Sequence, residues 1–95
     1  MKATVYKGGS YGIRVGQPNA RQYFPRKWRD IDVQMSGKAE TFSLTPTFWT
    51  TCPEFRGVAV KSWLKSHGLT PWPYRKPPQV TLRPLGGRRF RLSYP

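Results

Sequence analysis

Residues 72–94 read WPYRKPPQVTLRPLGGRRFRLSY, and this stretch decides the fold. Val80-Thr81-Leu82 starts a strand, Leu85-Gly86-Gly87-Arg88 is a turn, and Arg89–Tyr94 returns. Side chains alternate along a strand, so Phe90, Leu92 and Tyr94 share the core face while Arg89 and Arg91 share the other. Pro84 has no N–H to give to a ladder and predicts an edge strand or a bulge. The stretch holds six basic residues, Arg75, Lys76, Arg83, Arg88, Arg89 and Arg91, and no acid. It reads as a hairpin with an apolar side for a core and an arginine side for a polyanion.

Working outward, Thr70–Tyr74 is spaced by prolines that fix φ, which predicts a stiff strap carrying Trp72 and Tyr74. No PxxP spacing occurs there, which argues against an SH3 ligand. Upstream, Thr51-Cys52-Pro53-Glu54 fits a capping box opening a helix that runs to about His67. Val60, Trp63, Leu64 and His67 recur at i, i+3, i+4 and i+7 as its apolar stripe, and Gly68 suits its end. Phe48-Trp49 forms a short helical turn whose rings plug the core.

Ile31, Val33 and Met35 alternate with polar residues, Ser36-Gly37-Lys38 turns, and Ala39–Leu44 returns with Phe42 and Leu44 inward. At the start of the chain, Ala3–Lys7 and Tyr11–Val15 form a hairpin across Gly8-Gly9-Ser10, with Arg14 pointing away from Tyr11, Ile13 and Val15. Asn19 is placed to cap a short helix over Ala20–Phe24, which Pro25 ends. A cap there would offer the helix N-terminus and Arg21 to a phosphate. The basic-aromatic cluster Arg21, Arg26, Lys27 and Arg29 follows. The order predicts an α+β fold, a small and mostly antiparallel β-barrel of about six short strands with one main helix and one short helix, as one domain over residues 1–95.

Charge points to the partner. The chain has 95 residues, 17 Lys+Arg and 4 Asp+Glu, a formal net charge of +13. Up to Glu54 there are eight bases and four acids; from Phe55 onward there are nine bases and no acid. Such an imbalance opposes compaction by self-repulsion and is useful where a polyanion is bound. Arg outnumbers Lys ten to seven, and the planar guanidinium suits phosphates and guanine edges. Nucleic acid is therefore the expected partner, DNA over RNA. The expected contacts are Arg14, Arg21, Arg26, Lys27, Arg29, Arg75, Lys76, Arg83, Arg88, Arg89 and Arg91, with Trp72 and Tyr74 as rings that stack on bases.

Chemistry of other kinds finds little in the sequence. Asp30 and Asp32 share a strand face but fall short of the carboxylate set of a metal-dependent nuclease. His67 is the single histidine, and nothing orients it toward Cys52 as a nucleophile pair. No cofactor, metal or catalytic residue is expected. One cysteine excludes an internal disulfide and favours a reducing cytoplasm, or the nucleoid in a prokaryote. No apolar run approaches membrane-spanning length. A monomer or a homodimer is expected, an edge near Pro84 leaving the dimer open.

The pattern Ile13-Arg14-Val15, then Tyr23-Phe24-Pro25-Arg26, then the hairpin Ile31–Leu44 and the Trp63-Leu64 helix resembles the B3-like DNA-binding pseudobarrel. That resemblance implies a small barrel that grips the DNA major groove with basic strand-loop arms, in a transcription regulator or an accessory protein of a larger nucleoprotein machine. No family binding position carries over to a residue here. An OB-like or SH3-like barrel is the alternative fold. The alternative functions are binding of single-stranded DNA or RNA by stacking, and an interaction module for an acidic partner or nucleoprotein complex.

Overall fold

The computed structural model describes residues 1–72 and 75–94. Seven strands form one sheet: β1 (Lys2–Lys7), β2 (Tyr11–Arg14), β3 (Asp30–Met35), β4 (Lys38–Ser43), β5 (Glu54–Arg56), β6 (Gln79–Gly86) and β7 (Arg89–Ser93). Their order is β4-β3-β7-β6-β1-β2-β5. All neighbours are antiparallel except β3 and β7, which run parallel. The sheet curls into a nearly closed barrel, and Phe42 of β4 meets Phe55 of β5 across the seam with ring centroids 4.9 Å apart.

Alternation builds the core. Val5, Ile13, Ile31, Val33, Phe42, Phe55, Val80, Leu82, Phe90 and Leu92 point inward and are buried. Each end of the barrel carries a plug. At one end lie α1 (Gln17–Tyr23) and a 3₁₀ turn over Pro46–Trp49. There Phe24 stacks on Phe90 at 4.8 Å and meets Phe48 edge-on at 4.9 Å. The Trp49 indole N–H donates to the Phe24 carbonyl. At the other end α2 (Val58–Ser66) buries Val60, Trp63 and Leu64. Aromatic area lets a chain of this length fill its interior with few residues.

The predicted α+β barrel with a main and a short helix is the fold observed, with seven strands rather than six. The additional strand is β5, where the capping box was expected. Phe55 is needed to fill the barrel, so Glu54–Arg56 pair with β2 and the helix starts only after Gly57. Glu54 therefore pairs with Arg14 rather than closing a capping box. Asn19 is not a cap either: α1 starts after Gly16, with Pro18 in its first turn, and the Asn19 amide donates to Val15 O at 2.9 Å. Pro25 ends α1 as expected, with Phe24 extended.

Three further expectations are corrected. Tyr94 lies beyond β7 and is 49% exposed, so the inward series stops at Leu92. His67 caps α2 from outside the core, its Nδ1 2.9 Å from Trp63 O and its ring over the Trp63 indole. Pro84 marks a bulge, the register shifting between Pro84 and Gly86, but β6 lies inside the sheet between β7 and β1. The sheet edges are β4 and β5, so the dimer left open by an edge near Pro84 has no edge there. Gly68 does end α2: at φ +65° it forms a Schellman close, Leu69 N donating to Leu64 O and Gly68 N to Lys65 O. Among the described residues no helix is long and apolar enough to cross a membrane.

Candidate nucleic-acid interface

The arginine side of the β6–β7 hairpin faces outward from the barrel wall. Phe90 and Leu92 are buried, so Arg89, Arg91 and Ser93 project to solvent; Val80 and Leu82 are buried, so Thr81 and Arg83 project likewise. Register sets these side chains in rows. Arg91 lies opposite Arg83 on one side and Gln34 on the other. The Arg91 Nη2 donates to Gln34 Oε1 at 3.4 Å. The next row is Ser93, Thr81 and Lys2. From β7 through β6 to β1 the outward positions carry no acid, since those strands contain none.

Acids sit on the β3 flank. Asp30 pairs with Arg88 at 2.7 Å, and Asp32 stands in register with Arg89 while accepting from the Thr41 hydroxyl at 2.7 Å. Both carboxylates expected to share a strand face do so, and both are engaged by neighbours. Arg88 is thus partly neutralised, and Arg89 has Asp32 beside it in register without forming an ion pair; Arg83 and Arg91 have no acidic partner among the described residues.

The second basic cluster lies at the barrel end where the β6–β7 turn emerges. Phe24 and Trp28 both contact Phe90, at 4.8 and 6.2 Å, which holds the 24–29 segment beside the start of β7. Trp28 N donates to Pro25 O in a turn, and Leu44 N donates to Arg29 O, so this segment is pinned at both ends. Its aromatic residues face inward, and Arg21, Arg26, Lys27 and Arg29 are exposed. These four share one end of the barrel with Arg88 and Arg89.

Other expected contacts lie elsewhere. Arg14 is on β2, three strands around from β7, where it pairs with Glu54 at 3.1 Å and covers the Tyr6 ring at 5.0 Å. Tyr6 in turn lies over Gly12, where any Cβ would stand 2.4 Å from its ring. Burial, reinforced by the Glu54 carboxylate, pushes the Tyr6 hydroxyl above its ordinary pKa. Trp72, Arg75 and Lys76 belong to the segment between α2 and β6, at the opposite end of the barrel from Arg88. There Tyr11 meets Trp72 edge-on at 5.8 Å, Lys7 Nζ lies 5.4 Å from the Tyr11 ring, and a cleft of about 360 Å³ opens between Lys7, Tyr11, Pro71, Trp72 and Arg75. The bond from Thr70 Oγ1, 3.0 Å away, lowers the Tyr11 pKa. Tyr74 lies outside the described residues. Lys7, Tyr11, Gln34 and Lys2 escaped the sequence reading; the outward parity of β1 and β3 could have found Lys2 and Gln34.

No protein-family model, curated protein or solved structure matches this chain. The reading of the site therefore rests on its own geometry.

Proposed function

We propose that this chain binds double-stranded nucleic acid, DNA favoured over RNA, through the outer wall of β6–β7 and the adjoining 21–29 segment, without catalysing a reaction. The observation that carries the proposal is the Arg83–Arg91 pair on a face that continues to Lys2 with no acid between them. A fold gains nothing by setting two guanidinium groups opposite each other, and like charges in register oppose the sheet. A line of phosphates relieves that repulsion and gains charge-assisted hydrogen bonds. Because β6 and β7 are flanked by β1 and β3, the strands themselves form a wall rather than a free ribbon; the part that projects toward a groove is the turn with Arg88. Wall contacts to backbone phosphates, with the turn and the 24–29 segment at a groove edge, suit this shape. A barrel of this kind does not by itself identify a B3-like domain, and the proposal draws on the arginine face rather than on that likeness.

A second reading has an observation of its own. The Tyr11–Trp72 cleft, with Lys7 and Arg75 beside it, suits a base from a single strand stacked on an aromatic surface. Equilibrium binding to duplex DNA, single-stranded DNA, duplex RNA and heparin across a salt series, with magnesium in one arm, separates the readings. Duplex DNA should bind best, with affinity falling about 0.9 log units per log unit of salt for each phosphate neutralised. Equal affinity for heparin sinks duplex recognition. A preference for single strands lost in Trp72→Ala favours the cleft, and cleavage with magnesium overturns the non-enzymatic reading.

A further inference from the structure

The barrel seam leaves two strands with one unpaired side each. Among the described residues β4 pairs in the sheet only with β3, and β5 only with β2. Which backbone groups are free follows from the register. Leu44 N donates to Arg29 O, which continues the pairing of Phe42 with Ile31 and Glu40 with Val33, while Asp32 N turns the other way to Arg88 O. In an antiparallel ladder, alternate residues bond across the pair. The N–H and C=O groups of Ala39, Thr41 and Ser43 therefore point away from β3, into the seam. On the facing side Val15 N donates to Pro53 O and Gly57 N to Tyr11 O, so the Arg56 backbone turns away from β2. Among the described residues no backbone bond joins β4 to β5.

A groove follows this edge. One part, about 530 Å³, runs from Thr47 and Cys52 past Phe42 and Phe55 to Val58; a second, about 430 Å³, continues by way of Glu40, Val58 and Ala59 to Trp63 and Ser66. Val58 is 82% exposed on its rim. Glu40 lines both parts and makes no side-chain hydrogen bond or ion pair among the described residues, whereas the other three acids are all engaged. Among the described residues Glu40 is the one acid left unpaired, and it lies in a groove whose lining also holds Lys38 and Arg56. The outward side chains of β4, Ala39, Thr41 and Ser43, are small and uncharged; Lys38 at the start of the strand is its one lysine, and β4 contains no proline, so the edge from Ala39 to Ser43 is open to strand addition.

We propose that the free edge of β4 takes an extended segment of a partner protein, added beside the seven strands, with a lysine or arginine of that segment seated against Glu40. Main-chain bonds to Ala39, Thr41 and Ser43 supply affinity, and alternate side chains supply specificity. Those facing the barrel meet Phe42, Val58 and Glu40, so the segment alternates small apolar residues with one basic residue. Such a partner suits a protein that joins a nucleoprotein assembly, although the edge proposal does not depend on nucleic-acid binding.

The test selects binders from a library of random dodecapeptides at near-physiological salt. It then measures the enriched peptides against the native chain, Thr41→Pro and Glu40→Lys. Proline at 41 removes a seam-facing N–H that the β3 ladder does not use; lysine at 40 leaves the backbone intact and reverses the charge. Circular dichroism and duplex DNA binding check both variants for folding. The expected result is peptides that alternate apolar residues with lysine or arginine, each variant weakening them by about tenfold or more. Amide exchange should slow at Thr41 and Ser43 in the complex. Absence of enrichment, acidic peptides held by the arginine wall, or peptides that bind both variants as well as the native chain would overturn the proposal. So would a concentration-dependent dimer that Thr41→Pro makes monomeric, since the occupant would then be a second copy.

Discussion

Arg83 and Arg91 stand directly opposite one another across the β6–β7 ladder, both projecting from the outer wall of the barrel. Neither has a carboxylate partner among the described residues. A cross-strand pair of like charge opposes the ladder by a few tenths of a kcal/mol to about 1 kcal/mol, more at low salt. Replacing Arg83 with Thr keeps strand propensity and removes the repulsion. Arg83→Thr should therefore be as stable as the native chain or more so by up to about 1 kcal/mol in urea denaturation at low salt. Duplex DNA affinity should fall, and its log–log salt slope should become shallower by about 0.9. Lost stability with unchanged DNA binding would mean that the pair serves the fold.

Most of this arrangement was legible from alternation. Phe90 and Leu92 announced which side of β7 is buried, so Arg89 and Arg91 could be assigned to the other side without coordinates. Ile31, Val33 and Met35 did the same for β3. What local pattern does not carry is which strands become neighbours. The parallel contact of β3 with β7 sets Gln34 beside Arg91 and Asp32 beside Arg89 through residues 57 apart in the chain. The three-residue strand β5 lost to a capping-box reading because Thr51 and Glu54 satisfy that motif locally, whereas the barrel's need for Phe55 is visible only in three dimensions. Arg14 looked like one more base for a polyanion; its pairing with Glu54, 40 residues away, assigns it to the β1–β2–β5 wall.

That pairing gives a second prediction. Arg14 on β2 is separated from the proposed β6–β7 wall by β1, and its partner is Glu54 at 3.1 Å. Arg14→Ala should cost about 1 kcal/mol or somewhat more in stability, since it removes a half-exposed guanidinium and its cation–π contact and leaves the mostly buried Glu54 carboxylate without its partner. Duplex binding should weaken less than in Arg91→Ala when the two are compared by anisotropy titration. A larger loss for Arg14→Ala would move the interface to the other wall.

Gly12 and Tyr6 make a third. They are cross-strand partners, and a Cβ at Gly12 would lie 2.4 Å from the Tyr6 ring. Gly12→Ala must push the ring off the sheet, at a cost of about 1–3 kcal/mol. In the Tyr6→Thr background the same change should cost much less, giving a double-mutant coupling of about 1 kcal/mol or more by chemical denaturation. Additive effects would show that the ring has room to move.

The Tyr6 hydroxyl supplies the last prediction, because it is buried and makes no hydrogen bond of good geometry to the described residues, the Glu54 carboxylate being its near polar neighbour. Removing a buried hydroxyl that lacks a well-formed hydrogen bond removes a desolvation cost, so Tyr6→Phe should be neutral or stabilising by up to about 1 kcal/mol near pH 7. The pH dependence has a definite sign. Burial first, and then the Glu54 carboxylate, raise the folded pKa above the ordinary 10.0, so the folded state favours the protonated phenol more than the unfolded chain does. The resulting stability is fully present below pH 10 and is lost as pH rises through the raised folded value. The native chain should therefore lose stability above pH 10 more steeply than Tyr6→Phe does. Tyr11, whose pKa shifts downward, changes stability in the opposite direction in both proteins and cancels in the comparison. Urea midpoints measured from pH 8 to 11.5 check this, and parallel curves for the two proteins would assign the alkaline loss to another group.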